Sequence, residues 1–320
     1  MRISQKYGTT AHTPSSTTRN YVIDRWAYWS NQASKTSIQQ VTDAPAGFKH
    51  SAKCTSLSAH TAAAGHWFGY ITTIEAQDIY DLAQGTANAK SFTLSFYVKS
   101  SITGTWAAAI RTKPGSPSRS YPFNYTISSA NTWERKTITI PGDTTGTWLT
   151  TNGTGIIINW GLALGSNWTG TAGSYVTSDK HGVTGQLNLL SSTDNEWLLT
   201  GVQLEVGTQA TAFEHRTYGD ELSLCQRYYQ NINPRWTGWI VSATQIRAGI
   251  VFPTTMRATP SCTHSSSYIQ YGPGGQQTGS LQSFSDISDS GCVAILNNGG
   301  GMPTNAGSTG AISMAASAEL

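Results

Sequence analysis

Carboxylates, imidazoles and indoles are the side chains of this sequence with the most obvious chemistry: 17 Asp and Glu, seven His and 11 Trp among 320 residues. Two acids that cleave a glycosidic bond must flank it at roughly 5–5.5 Å or 6.5–9.5 Å, and no sequence-local pair sits in a motif of that kind. Glu75 with Asp78, Asp194 with Glu196, and Glu214 with Asp220 read as surface or helix-capping residues. The sequence holds no GxSxG elbow, no HExxH pair and no GxxxxGK(S/T) phosphate loop. His215, flanked by Glu214 and Arg216, suits a structural hydrogen-bond or salt-bridge network better than a general base. No catalytic residue is assigned, and a glycan-degrading enzyme is kept only as a contrast.

The indoles point elsewhere. The apolar face of a pyranose stacks on an exposed Trp or Tyr while amides and carboxylates orient its hydroxyls. Trp148, Trp160, Trp168 and Tyr175 lie in a stretch that also carries Asn152, Asn159, Asn167 and Asp179 between Gly-rich turns, and Trp236 and Trp239 stand three apart further on. These aromatics, with Asn167, are the candidate carbohydrate-binding residues, although most of the tryptophans must serve a core. No metal ligands are assigned. The histidines are scattered, and Cys54, Cys225, Cys262 and Cys292 lack the short paired spacing of a zinc site. No DxDxDG-type loop marks a calcium site, so a structural Ca²⁺ stays without ligands. Cys262 and Cys292 share the C-terminal segment, where they either pair or remain free buried thiols, the favoured reading.

The elements that must carry these groups are β-strands. Charged residues make up 12% of the chain, about half the ~25% of an ordinary domain, and Gly, Ser, Thr and Asn fill the intervals. The net charge is +3 and no Lys/Arg cluster occurs, which argues against a nucleic-acid partner. No apolar run approaches the ~18 residues of a membrane span, and residues 1–20 lack the apolar core of a secretory signal, so a soluble protein made in the cytoplasm is expected, without membrane insertion. Three Asn-X-Thr sequons are expected by chance in such a composition. Phe92, Leu94, Phe96 and Val98 alternate with Thr93, Ser95, Tyr97 and Lys99, the pattern of a half-buried antiparallel strand. Further strands are predicted at Trp106–Thr112, Trp133–Ile140, Gly155–Leu164, Glu196–Val206 and Ile246–Phe252, and a helical turn at Glu75–Ala83. Turn formers at Lys113–Ser118, Pro141–Asp143, Tyr271–Ser280 and Asn297–Gly301 reverse the chain. The prediction is a mostly β protein: a jelly-roll-like antiparallel β-sandwich over 21–215, a short linker helix within 216–234, and a small C-terminal β domain over 235–320.

The junction between the modules carries the clearest signal. Leu198, Val202, Leu204 and Val206 are spaced for a strand with Gln203 and Glu205 opposite. The period then changes: Asp220 and Glu221 suit a helix N-terminus, Leu222, Cys225 and Tyr229 follow at helical spacing, and the helix is expected to end by Pro234. Six blocks in order, Asp24–Trp26, Thr42–Phe48, Ser91–Ser101, Gly201–Gly207, Phe213–Gln230 and Phe252–Ser261, resemble a recurrent module of tailed-bacteriophage virion and tail-fibre proteins with a carbohydrate-binding-module-like sandwich.

That resemblance implies a non-enzymatic structural protein of a tailed-phage virion, a tail fibre or capsid decoration, on the particle surface or a tail appendage. It also implies a homotrimer whose C-terminal domain forms a head and oligomerisation unit. Residues 1–20 are too polar to order themselves by burial and are read as an attachment arm to other virion proteins. The alternative function is receptor binding, in which the chain adsorbs host surface glycans.

Overall fold

The computed structural model describes residues 1–15, 17, 19–112, 118–242, 244–264, 268–272, 275–297 and 306–320. The turns expected at Lys113–Ser118, Tyr271–Ser280 and Asn297–Gly301 fall wholly or partly outside them. Contacts divide the chain into two units, Met1–Arg216 with Leu320, and Thr217–Glu319.

The first unit opens with β1 (Asn20–Ile23), β2 (Trp26–Ser30), β3 (Thr36–Val41), β4 (Ser51–Ser56) and β5 (Trp67–Glu75). A 3-10 turn at Ala76–Leu82 precedes β6 (Phe92–Ser100), β7 (Gly104–Arg111), β8 (Ser120–Ile127), β9 (Glu134–Ile140) and β10 (Thr154–Leu164). Two short strands, β11 (Thr169–Gly170) and β12 (Gly182–Val183), lie within a long connection to β13 (Glu196–Val206). A six-stranded sheet, β1-β2-β5-β10-β7-β8, and a five-stranded sheet, β3-β4-β13-β6-β9, share one core. All pairings within the two sheets are antiparallel. This is the jelly-roll-like sandwich expected of the alternating strands.

Large aromatics join the sheets. Phe96 on the five-stranded sheet meets Tyr125 and Trp160 of the other edge-to-face, at 5.2 and 5.6 Å between ring centroids. Trp197 on β13 donates its indole N–H to the Tyr125 hydroxyl at 3.1 Å, so the polar ends of two buried rings satisfy each other. Trp106, Trp160 and Trp197 are all fully buried.

One strand departs from simple alternation. Leu199 and Leu204 of β13 both turn toward the core although five residues apart, because the register against β6 shifts between Thr200 and Gln203. Leu198, expected on the face of Val202 and Leu204, instead stands opposite Lys53 and Lys99 on the outer side. The bulge is built on Gly201, whose φ is +58° and where an added Cβ would lie 2.7 Å from Phe48 Cζ and 2.9 Å from Tyr97. A glycine is thus required twice over, by conformation and by space. Phe48 in turn packs on Tyr97, Phe213 and His215, with centroids 4.9–5.3 Å apart. His215 therefore belongs to an aromatic cluster, while its neighbours take part in hydrogen bonds: Glu214 N donates to Gln203 Oε1 at 2.8 Å and Arg216 O accepts from Arg2 at 2.9 Å.

Residues 1–12 pack on their own sandwich. Ile3 is buried, Ser4 donates to Val22 O at 2.8 Å, and Gln5 donates to both carboxylate oxygens of Asp24 through its backbone N–H (2.9 Å) and its side chain (2.6 Å). His12 exchanges backbone hydrogen bonds with Ile38 at 2.9 Å each. These contacts are all made within the chain. Glu75, expected at the surface, is fully buried and accepts from Gln77 at 3.0 Å.

The second unit begins with helix α1 (Tyr218–Gln226), capped by the Thr217 hydroxyl, which accepts from Asp220 N at 3.2 Å. The helix stops at Gln226, short of the expected run toward Pro234. Residues Tyr229–Ile232 instead form β14, because they pair with a C-terminal strand. The other strands are β15 (Arg235–Ser242), β16 (Gln245–Val251), β17 (Ser261–His264), β18 (Tyr268–Gly272), β19 (Gly275–Gly279), β20 (Leu281–Ser285), β21 (Gly291–Asn297), β22 (Gly307–Ala311) and β23 (Met314–Ser317). They form a three-stranded sheet, β14-β23-β17, and a seven-stranded sheet, β19-β18-β22-β15-β16-β21-β20. Trp236, Ile240, Ile246, Ile250, Leu296 and Met314 share their core. All four cysteines are free thiols, with Cys262 packed against the core that contains Cys292.

Replacing Gly201 by Val is expected to lower unfolding stability by about 2 kcal/mol or more in urea titration, since a non-glycine residue in this conformation costs ~1–2 kcal/mol before any clash with Phe48 is added. An unchanged midpoint would show that the bulge tolerates a side chain.

Candidate functional site

A charge buried on the outward side of the six-stranded sheet organises the best-built polar site of the first unit. β7 reads Gly104-Thr-Trp-Ala-Ala-Ala-Ile-Arg111; Trp106, Ala108 and Ile110 face the core, so Ala107, Ala109 and Arg111 face away from it. The same outward parity holds Trp29 on β2. Cross-strand register sets Trp29 opposite Gly69, Gly69 opposite Gly161, and Gly161 opposite Ala107. This row of small residues leaves room beside Trp29 for the 165–187 connection, whose Gln186 donates to Gly161 O at 2.7 Å. A Cβ on Gly69 would stand 2.8 Å from Asn159 Oδ1. With no side chain at residue 69, Asn159 is free to donate to His181 O at 3.0 Å.

Arg111 is fully buried. Its Nε donates to Asp179 Oδ1 at 2.8 Å and its NH2 lies 2.5 Å from the same oxygen, while its guanidinium carbon sits 5.5 Å from the Trp29 ring centre. His181, also fully buried, places Nε2 3.5 Å from Asp179 Oδ2. Burial and the neighbouring Arg111 charge push the imidazole down to about 4, against the opposing pull of Asp179. His181 is therefore neutral near pH 7. Burial alone would raise the Asp179 carboxyl, but His181 and Arg111 together hold it below the ordinary range. A neutral ring that donates from Nε2 leaves Nδ1 as an acceptor, and Nδ1 has no partner among the described residues.

Three half-buried tryptophans surround this imidazole. Trp168 lies 4.6 Å from it between ring centroids, Trp29 5.7 Å and Trp67 6.2 Å. Trp67 contacts Trp29 and Trp168 edge-on at 5.7 and 4.7 Å. Trp168 is fixed by its indole N–H, which donates to Gly65 O at 2.9 Å, whereas the buried Trp67 indole N–H has no acceptor among the described residues. Asn167 is exposed beside Trp168, and its carbonyl accepts from Lys180 at 2.8 Å. Among the described residues the arrangement offers apolar ring surface, one unused donor and one unused acceptor, held by an ion pair whose guanidinium is fully buried.

The sequence-based candidates scatter. Trp168 and Asn167 fall at this cluster, and Asp179 serves as its half-buried anion. Trp160 and Trp236 are fully buried in the two cores, which removes both as sugar platforms, because a ring needs an uncovered face. Trp148 packs half-buried against the first core. Tyr175 is held elsewhere: it packs its ring at a tilt against Tyr121 at 4.9 Å, donates through its hydroxyl to Pro141 O at 3.0 Å and lies under Arg119 at 5.6 Å. Asn152 is exposed away from the cluster, and Trp239 stands 53% exposed in the second unit. Trp29, Trp67, Arg111 and His181 escaped the sequence reading. Two signals pointed to them: Trp29 breaks the inward parity of Trp26 and Tyr28, and Arg111 ends a run of Ala and Ile. Among the described residues no group of three or more His, Cys, Asp or Glu is placed to hold a metal, and no helix is long and apolar enough to cross a membrane.

No protein-family model matches the chain, and no curated protein matches it in sequence. Solved structures do align with it. The enzymatically active domain of tailspike protein 4 of bacteriophage CBA120 is 15% identical, with a TM-score of 0.34, over 64% of this chain and 22% of that one. A chain described as CBM4 is 13% identical with a TM-score of 0.33, over 64% of this chain and 99% of that one. The family 11 carbohydrate-binding module of Clostridium thermocellum, in complex with a β-1,3-1,4-mixed-linked tetrasaccharide, is 14% identical with a TM-score of 0.31, over 65% of this chain and 100% of that one.

The depressed imidazole gives a signed pH dependence. An unfolded His titrates near 6.5 and the folded one near 4, so the unfolded chain binds the extra proton between these values and stability falls as pH drops through that window. Linkage puts the loss at about 3 kcal/mol. Urea titrations at pH 7 and pH 4 are expected to show it for the native chain and to show a correspondingly smaller loss for His181→Gln; equal slopes would mean that His181 protonates as readily folded as unfolded.

Proposed function

We propose that this chain is a non-enzymatic carbohydrate-binding protein, and that its sandwich adsorbs glycans through Trp29, Trp67 and Trp168. The observation that carries this reading is the aromatic triad itself. Its rings are half exposed, and the polar groups behind them are locked by the Arg111–Asp179 pair. Rigid aromatic surface with a few fixed hydrogen-bonding groups is what a pyranose needs for stacking and orientation. Among the described residues of this site, no pair of carboxylates faces the rings, which favours binding over glycoside cleavage.

The resemblance of six sequence blocks to tailed-phage structural modules supports placing this role on a virion surface, where adsorption to host glycans is the receptor-binding alternative to a purely structural part. It also supports the threefold assembly proposed for such parts. Sedimentation equilibrium of the full chain tests that assembly, with a persistent monomer removing the trimer.

Binding is tested on an array of bacterial surface glycans. The native chain is expected to retain a defined subset, and Trp168→Ala and Trp29→Ala are each expected to weaken that subset about tenfold or more, as loss of an interface anchor does. An empty array, or retention unaffected by both substitutions, would remove the reading.

A further inference from the structure

The outward side of the seven-stranded sheet carries a second aromatic platform of different chemistry. β15 alternates: Trp236 and Ile240 enter the core, while Trp239 and Val241 face out at 53% and 41% exposure. Register places Gly307 opposite Trp239 on one side and Arg247 opposite it on the other; Ile295 and Ser283 continue the row. Directly opposed residues on one face stand about 4.5–5.5 Å apart at Cβ, so the indole is flanked by bare backbone on one side and a guanidinium on the other. Among the described residues, a Cβ added at Gly307 or at Gly249 would meet nothing within 4 Å.

The charge of this face is one-sided. None of the seven strands contains Asp or Glu, while Arg235 and Arg247 both project from it. Neither arginine forms an ion pair among the described residues, and Arg247 donates only a long bond to Gln245 Oε1 at 3.4 Å. An unneutralised guanidinium next to an exposed indole selects a ligand with a flat apolar face and an anionic substituent at its edge. A second copy of the chain docking by the same face would set arginines against arginines. A nucleic acid would call for a longer track of cations than two.

We infer that Trp239, Arg247 and the open shelf at Gly307 form a binding site for an acidic sugar, with the ring stacked on Trp239 over Gly307 and its carboxylate paired to Arg247. This site stands apart from the proposed sandwich site and does not depend on it.

Titration calorimetry of the full chain with an oligogalacturonate hexamer and with an uncharged cello-oligosaccharide of equal length tests the inference. The anionic oligomer is expected to bind at least tenfold more tightly than the neutral one, and more weakly as salt rises. Trp239→Ala should abolish binding, Arg247→Gln should weaken it about tenfold, and Gly307→Val should block it by filling the shelf. Trp239 lies outside the core, so an unchanged unfolding midpoint certifies each variant as folded, and Trp168→Ala should leave this binding intact. Equal affinity for both oligomers, an Arg247→Gln variant that binds as the native chain does, or no binding of the anionic oligomer would overturn the proposal. So would tighter binding of a single-stranded oligonucleotide, or self-association in sedimentation equilibrium that Trp239→Ala abolishes.

Discussion

The first unit depends on the need to neutralise one guanidinium. Arg111 ends β7 with no exposure to water, and an unpaired charge in that position would cost several kcal/mol. Asp179 meets the need, yet it lies in the connection between β10 and β13, which has only two two-residue strands and two short 3-10 turns, Ser166–Trp168 and Leu189–Ser191. Pairing the charge therefore also orders the connection. Trp168 and His181 come with it, and the aromatic site is a by-product of electrostatic necessity at the sheet.

A second arginine does the same on the neighbouring strand end. Arg119 donates to both oxygens of Asp143 at 2.7 Å, and to Thr177 and Thr145 at 2.9 Å each. A Cβ on Gly146 would come within 2.9 Å of its side chain, so the turn must pass close by without one. Tyr175 is held beneath this clamp. Its aromatic face serves the arginine, which is why a residue that looked like a sugar contact in the sequence has a structural duty.

Much of the strand pattern was legible because burial on one face imposes a two-residue period. Phe92, Leu94, Phe96 and Val98 are all fully buried, and the expected strand is observed with one further residue, Ser100. Legibility failed where tertiary context overrides the period. The bulge at Gly201 moved Leu198 to the opposite face, and pairing with β23 drew Tyr229 out of a helix that its spacing favoured. The site was harder still. Trp29, Trp67 and Trp168 come from three distant segments, and nothing local to Trp29 announces that a loop carrying His181 will fold over it. Four of the six blocks that resemble phage modules, Thr42–Phe48, Ser91–Ser101, Gly201–Gly207 and Phe213–Gln230, supply instead the Phe48, Tyr97, Phe213 and His215 cluster around Gly201. These four contribute to the packing of the sandwich, while the tryptophan site lies outside them.

The 3-10 turn Ser166–Trp168 sets two exposed side chains, Ser166 and Asn167, next to a ring whose indole N–H is already bonded to Gly65. Frame and rim are thereby uncoupled. Substitutions at the rim touch neither the ion pair nor the core, so drift there can change the exposed chemistry beside Trp168 while the scaffold keeps its melting behaviour.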